Sequence, residues 1–109
     1  MKYRLIIYGN NIYKETIIDE SFSGSLTIGT DKTCQIAFAK ESFLTDFVFR
    51  IDKQCDDNFV ISCNDKIFLK KDSNFKEYIR KLALGDHIFV CYDKTGTDFL
   101  YVDFLAYYN

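Results

Sequence analysis

The stretch Leu82-Ala83-Leu84-Gly85-Asp86-His87-Ile88-Phe89-Val90 sets a tight Gly-Asp turn directly before a β-prone run. Glycine at 85 removes the Cβ penalty at a positive-φ position, Asp86 can hydrogen-bond nearby backbone donors, and Ile88, Phe89 and Val90 favour a pleated strand. The segment reads as the turn into a late strand of a small sandwich. Far upstream, Leu26-Thr27-Ile28-Gly29-Thr30 closes an apolar run on a similar glycine. Nearer the start, Tyr3–Tyr8 and Ile12–Ile18 flank Gly9-Asn10-Asn11, which is the grammar of a β-hairpin. Further short runs lie at 35–38, 47–51, 58–63, 66–70, 88–92 and 98–105, the last two joined by a loop with a late glycine, Gly96. Runs this short, each bounded by turn formers, predict an all-β antiparallel β-sandwich of about nine to eleven short strands. Only Ser73–Leu82 carries helical spacing, in Phe75, Tyr78, Ile79 and Leu82, and reads either as a short helix or as an extended connection.

The chain has 109 residues, 48% of them hydrophobic and 17% aromatic, enough for one core, and nothing marks an internal boundary. A single domain over 1–109 is expected. With 14 basic against 16 acidic residues there is no basic stripe to meet nucleic-acid phosphates. The longest apolar runs, such as Leu5-Ile6-Ile7-Tyr8, fall far short of the roughly 20 residues that cross a bilayer, so no membrane insertion by this segment is expected. Gly9-Asn10-Asn11 interrupts the first apolar run before it reaches signal-peptide length.

Cysteines stand at 34, 55, 63 and 91 without a CxxC pair, and Cys63 and Cys91 lie inside apolar strand-like runs. They read as reduced thiols acting as small buried hydrophobes, which points to a cytoplasmic location. His87 is the only histidine, and no recognised nucleophile turn accompanies it, so no catalytic residue is assigned and the chain is read as a non-enzyme. Alternation puts Asp86 and His87 on opposite faces, His87 as a half-exposed strand residue. Asp56-Asp57, and Asp46 with Glu41, read as solvated loops rather than a cation site, and neither metal nor cofactor is expected. Along the last strand Leu100, Val102 and Phe104 alternate with Phe99, Tyr101 and Asp103, the first set reading as core. Tyr3, Tyr8, Tyr13, Tyr107 and Tyr108 either form an exposed aromatic patch for a partner or cover the sandwich edge.

In series, Ile28-Gly29 after a strand, Ile36-Ala37-Phe38, a strand ending in Ile51, Phe59-Val60-Ile61 before Asn64, and Leu84-Gly85-Asp86-His87-Ile88 resemble the forkhead-associated family over most of the chain. The resemblance implies a small antiparallel sandwich that presents loops from one end to a partner, and the family's usual activity is recognition of phosphothreonine peptides. That family supplies an arginine after the first glycine, a Ser-Arg-x-His run, and a later asparagine to meet the phosphate. Here Thr30 stands after the glycine, and the count back from Ile51 puts Thr45 at the serine, Asp46 at the arginine and Val48 at the histidine. Asn64 matches the later turn, with Asp65 after it in place of glycine. Losing one bidentate charged contact costs on the order of 2 kcal/mol, and Asp46 repels phosphate outright.

What the resemblance implies is therefore a degenerate, non-catalytic protein-protein interaction module whose candidate peptide-binding loops carry Thr30, Lys32, Thr45, Asn64 and Lys66. Phosphothreonine binding is the alternative, with Lys32 or Lys66 substituting as point charges. A purely structural domain of a larger ATPase is the second. Within the family the match is nearest to the divergent domains at the N-terminus of the membrane-bound secretion ATPase of type VII systems in Gram-positive bacteria, on Lys2–Ile7, Leu26–Gly29 and Gly85–Val90. That likeness implies a cytoplasmic docking part, a partner among secretion-system components, and a chain that is the N-terminal fragment of a larger protein. No GxxxxGK[ST] phosphate loop is present in these residues.

Overall fold

The computed structural model describes residues 2–55, 58–71, 74–76, 79–94 and 97–107, with the backbone alone for 74–76, 79 and 80. Among these residues the chain is all β. Its strands are β1 (Tyr3–Gly9), β2 (Ile12–Ile18), β3 (Ser25–Gly29), β4 (Ile36–Ala37), β5 (Val48–Lys53), β6 (Phe59–Cys63), β7 (Phe68–Lys71), β8 (Asn74–Lys76), β9 (Ile79–Leu82), β10 (His87–Cys91) and β11 (Asp98–Ala106). They form a six-stranded sheet in the order β2-β1-β11-β10-β7-β8 and a five-stranded sheet in the order β4-β3-β5-β6-β9. One 3₁₀ turn, Lys40–Ser42, interrupts the pattern.

The two sheets close over a core that takes alternate residues from each strand, as strand periodicity requires. Leu5, Ile7, Ile88, Val90, Leu100, Val102 and Phe104 face it from one sheet. Leu26, Ile28, Phe49, Ile51, Phe59 and Ile61 face it from the other. Tyr3 belongs to this interior rather than to a surface patch: its ring stacks on Phe104 and meets Phe59 edge-on. Tyr8 lies half-buried beside Tyr101 on the outer face of the six-stranded sheet, and Tyr13 is exposed.

The β1–β2 hairpin closes with Gly9 paired to Ile12, so Asn10 and Asn11 alone make the loop. Both have positive φ, at 51° and 62°, the sign that a type I′ turn needs at its two central residues and that asparagine tolerates well. Gly85 has φ +88°, and Asp86 after it accepts a bond from the Ala83 amide at 2.8 Å and pairs with Lys71. The turn that decides the fold in the sequence is thus closed by its own aspartate. Asp86 is 5% exposed, and its carbonyl receives the Phe104 amide at 3.0 Å, tying the turn to β11.

Two expectations need correction, and one open alternative is decided. Of the two readings of 73–82 the extended one holds where the structure describes that segment: β8 pairs with β7, and β9 pairs with β6, Leu82 lying opposite Phe59. Ladder bonds at two sheet edges, with Leu82 buried at 3% exposure, outweigh a helix too short to be stable alone. The sandwich is also not wholly antiparallel, since β3 and β4 run parallel, Ile28 opposite Ile36. Finally, Phe99 does not share the outer face with Tyr101. It is buried, at the point where the β10–β11 register shifts between Val90 and Cys91. Asp56, Asp57, Gly96 and Tyr108 lie outside the described residues.

Candidate docking site

Gly29 ends β3 where β5 begins, and the two backbones touch. A Cβ on Gly29 would stand 2.2 Å from the Phe47 carbonyl oxygen and 2.9 Å from the Val48 Cα, so only glycine fits. Three loops are stitched together just beyond this point. The Thr30 amide donates to the Phe47 carbonyl at 3.0 Å, the Phe38 amide to the Gly29 carbonyl at 2.8 Å, and the Asn64 amide to the Val48 carbonyl at 3.0 Å. Between the loops opens a cleft of about 490 Å³.

Thr30, Lys32 and Asn64 line this cleft, together with Phe38, Phe47 and Val48 at its base. Thr45 does not. It lies in the adjoining groove with Phe43 and Leu44, half-buried, its hydroxyl 3.4 Å from the Asp46 carbonyl. Lys66 lines neither, and its backbone amide donates to the Asn64 Oδ1 at 3.3 Å. The structure therefore brings together three of the five candidate residues, and leaves two outside.

The Thr30 hydroxyl is already in use. It accepts the Phe47 amide at 3.0 Å and lies 3.3 Å from the Phe47 carbonyl, on a residue 8% exposed. It fastens the start of β5 instead of facing a ligand. Asn64 spends its carbonyl oxygen on its own loop, while its NH₂ makes no hydrogen bond among the described residues. Asp31 is likewise a loop fastener: Thr33 donates its amide at 2.9 Å and its hydroxyl at 2.8 Å, which holds the Asp31 carboxyl below the usual carboxylate range.

Between the cleft and the outer grooves stands the segment 40–46, which sequence periodicity does not single out. Phe43 anchors it, with ring centroids 4.9 Å from Phe47, 5.8 Å from Phe99 and 5.9 Å from Phe38. The Asn10 side-chain amide donates to the Ser42 carbonyl at 2.6 Å, and the Leu44 amide donates to the Tyr92 hydroxyl at 3.0 Å. Tyr92 itself stacks on Phe99 at 3.9 Å. So anchored, the segment presents Leu44 at 84% exposure. Glu41 lines the cleft and both grooves beside it, and Asp46 lines the cleft and the nearer groove. The signal that could have found this segment is the exposed Leu44 between two phenylalanines, Phe43 and Phe47.

Away from these loops, His87 sits half-exposed on the outer sheet face as expected, paired with Asp103 and stacked on Tyr101 at 5.8 Å. Its described contacts include no cysteine. All four cysteines are free thiols, and burial pushes Cys63 up to about 12 and Cys91 up to about 11. No cluster of three His, Cys, Asp or Glu side chains fit to hold a metal occurs among the described residues, and no described helix is long and apolar enough to cross a membrane. Comparison with known proteins returns no match to a family model, to a curated protein or to a solved structure.

Proposed function

We propose that this chain is a non-catalytic docking module of forkhead-associated type whose phosphate site has been lost, and that its loop end receives a protein partner without need of phosphothreonine. The observation that carries this reading is the state of Thr30. The residue that follows the β3 glycine is turned inward and spends its hydroxyl on Phe47. No guanidinium stands in its place, and Asp46 lines the same cleft. A phosphate dianion entering here meets the Glu41 and Asp46 carboxylates, and finds only the point charges of Lys32 and Lys40 in place of a guanidinium fork.

Three further features support a docking role. The loops converge at one end of a two-sheet frame, the cleft has an apolar base, and segment 40–46 is braced from both sides, so little ordering entropy is lost when a partner binds. The finer reading, a cytoplasmic docking part of a type VII secretion ATPase that contacts other components of that machine, rests on the sequence likeness and is part of the same proposal.

The test is binding of the domain to a degenerate phosphothreonine peptide library beside its unphosphorylated twin. Equal binding to both, or to neither, is expected. Binding that depends on phosphate, and that Asn64→Ala or Thr45→Ala abolishes, would overturn the reading and restore phosphopeptide recognition.

A further inference from the structure

Across segment 40–46 from the cleft runs a separate groove of about 450 Å³. Phe43, Tyr92, Phe99 and Tyr101 wall it, and Glu41 and Asp98 stand in it with them. The walls are fixed before any partner arrives. Phe43 and Tyr92 pack on Phe99 with ring centroids at 5.8 and 3.9 Å, the Tyr92 hydroxyl receives the Leu44 amide, and Asn10 holds the Ser42 carbonyl. Both carboxylates are exposed, and among the described residues neither pairs with a cation. Asp98 meets neutral donors alone, the Tyr101 hydroxyl at 3.4 Å and the Cys91 thiol at 3.7 Å, and Glu41 accepts no side-chain hydrogen bond. Unlike the cleft, which Lys32 and Lys40 line, this groove is lined by no lysine, arginine or histidine among the described residues. The lysines of β7 and of the β10–β11 loop are turned elsewhere, Lys70 over the Phe89 ring and Lys94 over the Phe68 ring.

We propose that this groove takes an arginine side chain presented by an extended segment of a protein partner, its guanidinium held against the aromatic walls and between Glu41 and Asp98. The proposal rests on the docking reading above and names the chemistry of the partner. Two independent features select the occupant: rings, whose π faces attract a cation, and carboxylates with no counter-charge in the groove. An apolar side chain would satisfy the rings and strip water from both carboxylates without pairing them, and an acidic or phosphorylated one is repelled. A bare divalent ion needs more oxygen ligands than two carboxylates supply. Arginine suits the groove better than lysine, because its planar, weakly hydrated fork stacks on a ring while it donates to both carboxylates.

The experiment titrates the isotope-labelled 109-residue chain with four end-blocked peptides, identical except for a central arginine, lysine, norleucine or phosphothreonine, and follows amide chemical shifts. The arginine peptide is expected to move Phe43, Leu44, Tyr92 and Tyr101 saturably. An exposed ion pair is worth roughly 1.4- to 5-fold in affinity and a cation–π contact about 2- to 5-fold, so arginine binds about three- to twentyfold more tightly than norleucine, with lysine between. That preference shrinks at high salt and is lost with Glu41→Gln plus Asp98→Asn, while Asp65→Asn, at an exposed carboxylate outside the groove, leaves it in place. Glu41 and Asp98 are exposed, so the double variant keeps its fold, which its melting temperature verifies. Tyr101→Leu keeps both carboxylates and lowers the preference by the ring's share alone. No saturable shift in the groove with the arginine peptide, equal affinity for arginine and norleucine, or an arginine preference that survives the double variant overturns the inference and leaves the docking reading standing. Shifts with the phosphothreonine peptide alone, centred on Thr30, Lys32 and Asn64, overturn both.

Discussion

Replacing Thr30 with valine separates a structural threonine from a ligand-binding one. The side chains have nearly the same shape, so the change deletes a hydroxyl without opening a cavity, but it is not conservative where that hydroxyl is bonded. In the structure the Thr30 Oγ1 is the acceptor for the Phe47 amide at 3.0 Å. Phe47 is fully buried, so valine leaves that N–H with no partner and no water. A buried donor left unpaired costs about 1–3 kcal/mol. The backbone bond from the Thr30 amide to the Phe47 carbonyl survives, which keeps the expectation near the middle of that range, about 2 kcal/mol. For a domain of about 100 residues this lowers Tm by roughly 8–15 °C. Thr30→Ser, which keeps the oxygen, restores most of the loss. The assay is urea unfolding followed by tyrosine fluorescence, with thermal melting alongside. A Thr30→Val domain within about 0.5 kcal/mol of the parent, a difference typical of an unengaged surface position, refutes the assignment of Thr30 as a fastener.

Gly29→Ala is expected to be the more damaging neighbour, since its Cβ meets two backbone atoms that cannot give way; a loss of more than about 3 kcal/mol in the same unfolding assay is expected, and a loss below about 1 kcal/mol contradicts the close approach of β3 and β5. Asp86→Ala removes a nearly buried carboxylate that holds both the Ala83 amide and Lys71, at a cost of about 2–4 kcal/mol, whereas Lys71→Met, at a partly exposed position, costs less. Partly buried Cys63 and buried Cys91 resist iodoacetamide at pH 8 in the folded chain, because desolvation keeps them protonated, while exposed Cys55 reacts; labelling of Cys91 as fast as Cys55 would contradict its buried setting. The same two thiols make stability fall on the alkaline side. Their folded pKa values, about 12 and about 11, exceed the unfolded value, so their contribution is complete below about pH 8.5 and is lost as pH rises toward the folded values.

Much of the sandwich was legible in local pattern. The Asn10-Asn11 loop, the Gly85-Asp86 turn and the inward set Leu100, Val102 and Phe104 are each decided by residues within a few positions, and each stands as read. Segment 73–82 stayed open between helix and extended chain because its described backbone bonds are made to β6 and β7, and a helical spacing of apolar residues says nothing about which sheet edges lie open nearby. Phe99 is buried by a register shift between β10 and β11, a feature of the strand pair and not of either strand alone.

The site was less legible. Thr30, Lys32 and Asn64 do meet in one cleft, yet the partner of the Thr30 hydroxyl is seventeen residues away, so its engagement could not be read from the turn that holds it. Segment 40–46 has no period to announce it. What fixes it are Asn10, Tyr92 and Phe99, drawn from two other hairpins, and the place of Glu41 at the centre of the loop end follows from that anchoring.

The most direct test of the lost phosphate site is a titration of the isotope-labelled domain with inorganic phosphate, followed by amide chemical shifts at Thr30, Lys32, Lys40 and Asn64. The account predicts no saturable shift at these residues up to millimolar phosphate at constant ionic strength. Saturable shifts confined to them would show that the loops still hold an anion, and would contradict it.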